Sequence, residues 1–336
     1  MSDAPVLRVH DLHVGYRSGG ADVEIVSGVS FDLHRGEALG IAGESGCGKT
    51  TTALAILQLL PARLRRLSGT IELATEHGIV HVQRRSERGM RDLRWSEVSL
   101  VFQGAVNALD PVQRISRQIG EAIRLHDPAA DRTAVRERVR ELLERVGIGA
   151  DHAEQFPHEF SGGMRQRVMI ALALACDPQV VIADEPTTAL DVMTQAQVLA
   201  LLEELRRELG LALLLITHDL GVIAETCDRV AVMYAGGIIE SGPAETVFGT
   251  PQHPYTQRLL GAFPQVGSER TLPPAIPGAP PDPADPPSGC RFHPRCHLAR
   301  EVCALGEMEL RPVAEGHESA CLFAPLTQLP VAGGMR

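Results

Sequence analysis

The sequence predicts an α/β fold built on a mostly parallel sheet, and three observations carry that reading. Four short apolar runs, ALGIAGES (38–45), VSLVFQ (98–103), QVVIADE (179–185) and LALLLITH (211–218), each end on a polar residue. Continuous apolar runs of this length fit strands buried on both faces. Stretches with helical spacing separate them, the alternation expected of a parallel sheet covered by helices. The first run also opens into a glycine-rich loop, GESGCGKT (43–50), ahead of a helix-like TTALAILQLL. Ligands in such sheets bind at the carboxyl ends of the strands. Ser45, Gln103, Asp184, Glu185 and His218 are therefore expected to face one site.

Composition narrows the class. A chain of 336 residues with 44% hydrophobic residues can bury a sizeable core in one to three domains. Its formal net charge of −10 weighs against a broad nucleic-acid surface, because neutralising phosphates takes a basic face. No apolar run approaches the roughly 20 residues of a membrane span. The N-terminus, MSDAPVLRVHDL, lacks the charged start and apolar stretch of a signal peptide. A soluble protein, or one held at a membrane by a partner, is expected in reducing cytosol, where the seven cysteines are thiols or metal ligands.

Along the chain, RTAVRERVRELLERVGI places Val135, Val139, Leu142, Leu143 and Val146 on one stripe of a charged helix. It belongs to a helical insertion over about 105–175. A first domain is expected over 1–250, a connecting segment with a proline-rich linker over 251–287, and a cysteine-containing extension over 288–336. PPAIPGAPPDPADPP (273–287) is too rich in proline for a helix or central strand and reads as a semi-rigid spacer.

The glycine-rich loop holds the only lysine of the chain; every other residue of the 32 Lys and Arg is arginine. GESGCGKT fits G-x-x-x-x-G-K-[ST] between a predicted strand and a predicted helix. Gly43, Ser45, Gly46, Cys47, Gly48 and Thr51 belong to a backbone cradle whose N–H groups surround phosphate oxygens, helped by the helix start. Lys49 supplies a slim point charge where the fork of arginine would need more room. Thr50 would place its hydroxyl on Mg²⁺. The rival dinucleotide pattern G-x-G-x-x-G fails, since Thr51 stands where its third glycine belongs.

Asp184, ending the third run, would hold Mg²⁺ directly or through water, and Glu185 could polarise an attacking water. In FSGGMRQRVMIALALA, Ser161 and the bare N–H groups of Gly162 and Gly163 form a second anion-binding helix start. One nucleotide has no obvious use for two.

These segments, in this order, resemble the ATP-binding cassette ATPases, in which the second anion site serves ATP held by the opposite subunit. The resemblance covers roughly residues 5–260 and implies a P-loop NTPase fold of the cassette type with a helical insertion. It makes Tyr16 the adenine-stacking aromatic, Gln103 the Q-loop residue at Mg²⁺, Thr188 to Asp191 the D-loop and His218 the switch histidine. Met164 stands where the general signature has Gln, while the Ser and Gly donors remain. Taken alone, Tyr16 reads as a surface aromatic and His218 as a structural histidine. Cys47, Cys176 and Cys227 read as packing thiols.

PQHPYTQRLLGAFP (251–264) and the tail GCRFHPRCHLAREVC are similar to the extension of ATPases that drive di- and oligopeptide or nickel importers. That likeness implies a second homologous ATPase, two membrane permeases, an extracytoplasmic solute-binding protein and a place on the cytoplasmic face of the membrane. GAVNALDPVQRI (104–115), just after Gln103, is the candidate permease contact. The competing class is a metal or redox sensor with secondary ATPase activity, suggested by Cys290, Cys296, Cys303 and Cys321. Their spacing, C-x5-C-x6-C-x17-C, lacks the tight pairs of structural zinc. With little apolar material nearby, a metal centre is expected to hold the tail together, either an iron–sulfur cluster or zinc, ahead of disulfides or free thiols, with His293, His297 and His317 as further possible ligands. The family likeness favours [4Fe–4S].

Overall fold

A computed structural model describes residues 4–102, 104, 108–262, 276–306 and 309–326. The chain opens with a hairpin, β1 (Leu7–Ser18) and β2 (Ala21–Leu33), and continues through β3 (Ala38–Ala42), α1 (Lys49–Ile56), β4 (Arg65–Thr75), β5 (Gly78–His81), α2 (Glu87–Leu93) and β6 (Val98–Val101). Three helices follow, α3 (Ile115–His126), α4 (Arg132–Arg145) and α5 (Gly162–Ala173). Then come β7 (Val180–Asp184), α6 (Val192–Leu209), β8 (Ala212–Ile216), α7 (Leu220–Thr226), β9 (Arg229–Tyr234) and β10 (Gly237–Pro243). The described chain finishes with α8 (Ala244–Gly249), α9 (Pro254–Gly261) and the short pair β11 (Arg311–Ala314) and β12 (His317–Ser319).

The four apolar runs become β3, β6, β7 and β8, and all four pair in parallel: β6 with β7, β7 with β8, β8 with β3. Continuous apolarity follows from burial on both faces. Val181, Ala183, Leu213 and Leu215 point to a core shared with α3–α6. Their neighbours Val180, Ile182, Leu214 and Ile216 point to a second core under β1, β2, β4 and α1. With a side-chain period of 2, each strand must be apolar at every position to feed both.

That second core is roofed by an antiparallel sheet of order β2-β1-β4-β5, which the apolar runs did not announce. The insertion is helical, and the α4 stripe Val135, Val139, Leu142 and Leu143 is buried. Asp131 caps α4 by accepting from the N–H groups of Thr133 and Ala134, both at 2.8 Å. Residues 276–287 carry no helix or strand.

Protein contacts hold the extension to the preceding domain. Strand β12 pairs antiparallel with β10, which extends the main sheet to the order β11-β12-β10-β9-β3-β8-β7-β6. The buried Glu240 carboxylate on β10 accepts from the N–H of Gln252 at 2.5 Å, the N–H of His253 at 2.9 Å and His317 Nε2 at 2.8 Å. Phe292 is 1% exposed and packs edge-on against Tyr234 and Tyr255, with ring centroids 5.2 and 5.4 Å away. Full burial of one such side chain is worth about 1.5–3 kcal/mol. A tail with little apolar material of its own thus borrows the core of the preceding domain.

Candidate functional site

The carboxyl ends of β3, β7 and β8 meet at the loop between β3 and α1. Gly43 and Gly48 shape that loop, with φ of 153° and 107°. A Cβ on Gly43 would lie 2.2 Å from the Met233 carbonyl oxygen, and one on Gly48 2.9 Å from that of Ile25, so the curl has no room for side chains there. Lys49 is 5% exposed and its Nζ donates to the Gly43 and Glu44 carbonyls at 2.7 and 3.1 Å. Ser45 and Gly46 stand exposed at the apex, and Cys47 is buried, which raises its thiol pKa.

Thr50 Oγ1 donates to Asp184 Oδ1 at 3.2 Å. Burial raises the Asp184 carboxyl, and the Thr50 bond and the Lys49 charge oppose that rise. A hydroxyl and a carboxylate in contact are hard oxygen donors, the set that suits Mg²⁺ beside phosphates. Thr51 follows in the first turn of α1, half-buried.

Glu185 stands just past β7 with φ of 46°, a conformation costly for a residue with a side chain. Its N–H donates to the Ile216 carbonyl at 2.8 Å, its Oε2 accepts from Thr188 Oγ1 at 2.8 Å, and its Oε1 lies 3.3 Å from His218 Nδ1. The structure therefore brings Lys49, Thr50, Asp184, Glu185 and His218 into one constellation. Gln103 lies outside the described residues, as do residues 105–107 of the candidate permease contact. Tyr16 is half-buried near the end of β1, opposite Val23 of β2.

Ser161 caps α5, its Oγ accepting from the Met164 N–H at 3.3 Å. Gly162 and Gly163 begin that helix beside the start of α6. A Cβ on Gly163 would come within 2.4 Å of Thr194 Cγ2. Asp191 caps α6 through the Thr194 N–H at 3.0 Å and hydroxyl at 2.6 Å. Among the described residues no hydrogen bond or ion pair joins Ser161, Gly162 or Gly163 to the phosphate loop of the same chain.

Sequence reasoning missed two residues around the loop. Arg295 pairs with the Glu44 carboxylate at 2.8 and 3.2 Å, and Tyr255 Oη accepts from the Glu44 N–H at 3.0 Å. The partners lie 251 and 211 residues away, so no local pattern could have found them. In the extension, Cys290, Cys296, Cys303 and Cys321 line one apolar cavity with Phe292 and Leu298. All four are free thiols, and burial pushes Cys290 up to about 11 and raises Cys296 and Cys321. As placed, no group of three or more His, Cys, Asp or Glu among the described residues is arranged to hold a metal ion. Cys176 and Cys227, pushed up by burial to about 11 and about 12, behave as packing thiols.

Comparison with known proteins bears on this site. A family model described as ABC transporter matches residues 26–188, and one described as oligopeptide/dipeptide transporter, C-terminal region, matches 239–303. A putative peptide import ATP-binding protein of Brucella abortus (strain 2308) is 44% identical, covering 96% of this chain and 96% of its own. The dipeptide transport ATP-binding protein DppD of Bacillus subtilis (strain 168) is 45% identical over 89% of this chain and 88% of its own. Among solved structures, the dimeric ATP-binding cassette MJ0796 bound to ADP and Pi superposes with a TM-score of 0.62 at 25% identity, covering 71% of this chain and 98% of that one. CbiO1 of Clostridium perfringens, part of the complex cbiONQ, gives 0.62 at 29% identity, covering 74% and 92%. With two family models in tandem and close relatives along nearly its whole length, this chain belongs to the ATP-binding cassette transporter family, among the ATP-binding proteins of the oligopeptide/dipeptide type.

Proposed function

We propose that this chain is the ATP-hydrolysing subunit that energises import of di- and oligopeptides across the cytoplasmic membrane. The observation that carries the reading is the union, in one chain, of the constellation Lys49, Thr50, Asp184, Glu185 and His218 with the oligopeptide/dipeptide C-terminal region. Lys49 and the loop N–H groups bind the phosphates, Thr50 and Asp184 hold Mg²⁺, and Glu185 orients and polarises the attacking water with His218 beside it. Bound Mg²⁺ neutralises charge on the phosphates. Gln103 joins the Mg²⁺ site and Tyr16 stacks on adenine, as the family likeness implies. In the working assembly a second homologous ATPase presents its own signature to this nucleotide, while Ser161, Gly162 and Gly163 here serve the partner's ATP.

No helix among the described residues is long and apolar enough to cross a membrane. The family likeness supports attachment to the cytoplasmic face through two permease subunits. An extracytoplasmic binding protein delivers the peptide. The organisation is a cassette over 1–250 with its helical part at about 105–175, a connecting segment and linker over 251–287, and the cysteine-containing extension over 288–336. That extension is assigned a structural or regulatory [4Fe–4S] cluster on Cys290, Cys296, Cys303 and Cys321, with zinc as the alternative. The four thiols lining one cavity support it. A pull-down from detergent-solubilised membranes tests the assembly. Recovery of two permeases with a second ATPase is expected; recovery of a soluble regulator in their place would sink the transport reading.

A further inference from the structure

Glu44, the second residue of the phosphate loop, is gripped at three points. Its N–H donates to Tyr255 Oη at 3.0 Å, its carbonyl accepts from Lys49 Nζ at 3.1 Å, and its carboxylate takes both arms of the Arg295 guanidinium at 2.8 and 3.2 Å. Arg295 belongs to the 3-10 turn His293–Arg295 of the extension. Its side chain is 7% exposed, which sets it apart from the solvated surface pairs that contribute little. Nε donates to the Pro277 carbonyl at 2.9 Å, one terminal nitrogen also donates to Tyr234 Oη at 3.2 Å, and the guanidinium stands 5.7 Å over the Tyr234 ring. A planar fork used on every side has one orientation. Burial alone would lower the Arg295 pKa, but the bonds to Glu44 and Tyr234 raise it above its ordinary value, so the cation persists.

The loop itself has little stiffness. Gly43, Gly46 and Gly48 all have positive φ, and a glycine-rich segment loses much conformational freedom when it orders around a ligand. A brace that orders it beforehand lowers the cost of binding. On its other flank Arg295 adjoins Phe292 and Cys296, which line the cysteine cavity.

We infer that Arg295 is a positioning residue for the phosphate loop: through Glu44 it holds the loop in its phosphate-accepting curl, so that nucleotide affinity depends on the chain's own C-terminal extension being folded against the cassette. The inference rests on the ATP-binding reading above and deepens it. It predicts a change in nucleotide binding, whereas a pair that only stabilises the fold would change melting alone.

The test is a double-mutant cycle on the full chain, with Mg-ADP as the calorimetric probe. Glu44→Gln and Arg295→Gln are each expected to weaken Mg-ADP binding roughly three- to tenfold, with the double variant no weaker than the weaker single variant. KM for ATP should rise in step while kcat at saturation stays within about twofold, the signature of lost ground-state binding. Arg295→Lys keeps the charge without the fork, and should fall on the weakened side. If Arg295→Gln does not fold, Glu44→Gln and Arg295→Lys carry the same comparison. Unchanged affinity beside a lowered melting temperature, or purely additive losses, would overturn the inference. A wild type that fails to bind Mg-ADP, indistinguishable from Lys49→Ala, would overturn the ATP-binding reading itself.

Discussion

Glu185 shows what the local fold does for one side chain. A φ of 46° costs energy in a residue with a Cβ, and the loss is offset by the bond of its N–H to the Ile216 carbonyl. The reward is a carboxylate turned toward Thr188 and His218 at the end of a buried strand. Glu185→Gln keeps shape and removes the charge, so Mg-ATP binding should persist while turnover falls by about 10²- to 10⁴-fold. Steady-state hydrolysis with a parallel binding isotherm checks it, and near-normal turnover would remove Glu185 from its role. This residue was readable in the sequence, as were Asp184 and His218, because each sits where a buried strand stops and the chain turns polar, while Lys49 and Thr50 were marked by the glycine-rich loop pattern. Glu44 was equally visible as a letter of the loop, yet its brace was not. A pair separated by 251 residues leaves no trace in the pattern of either segment.

Among the elements, the parallel strands were legible and the antiparallel sheet was not. The first are apolar almost throughout, Ser99 of β6 and the terminal Asp184 of β7 excepted, whereas β1 departs from simple alternation. Its register against β2 shifts between Val9 and Leu12 and again on either side of Val14, so burial follows no single period. Helix α9 carries a pH-dependent feature that composition could not show. His253, its N-cap, accepts from the Tyr255 N–H through Nδ1 at 3.1 Å, and full burial pushes its pKa down to about 3 from 6.5. Below the unfolded value the open chain binds a proton that the folded chain refuses. His253 therefore leaves stability intact above pH 6.5 and subtracts from it increasingly as pH falls toward 3. His253→Asn keeps a cap acceptor without titrating. Its melting temperature should fall less than that of the wild type between about pH 7.5 and about pH 5; parallel slopes would show that His253 does not stay neutral in the fold.

At the scale of the whole molecule, the extension closes the main sheet at one edge and braces the phosphate loop at the other end of its reach. These contacts explain how a segment with few apolar residues of its own stays ordered, through β12 on β10, His317 on Glu240 and Phe292 between two tyrosines. They leave the four thiols facing a shared cavity. Burial disfavours the ionised forms of Cys290, Cys296 and Cys321, and a bound cation is what would make thiolates tolerable there. All-thiolate ligation suits an iron–sulfur cluster as well as zinc, and the likeness to peptide-importer ATPases is what puts the cluster first. The full chain purified without oxygen should be brown and contain about four iron and four sulfide per molecule. Cys296→Ser should lose the visible band and most of the iron. It should still fold, because the sheet edge and the Phe292 contacts do not depend on that sulfur. A colourless wild type holding one zinc per chain would replace the cluster by the alternative metal. A preparation with neither metal, and all four thiols open to alkylation, would leave the Glu240 and Phe292 contacts as the sole support of the extension.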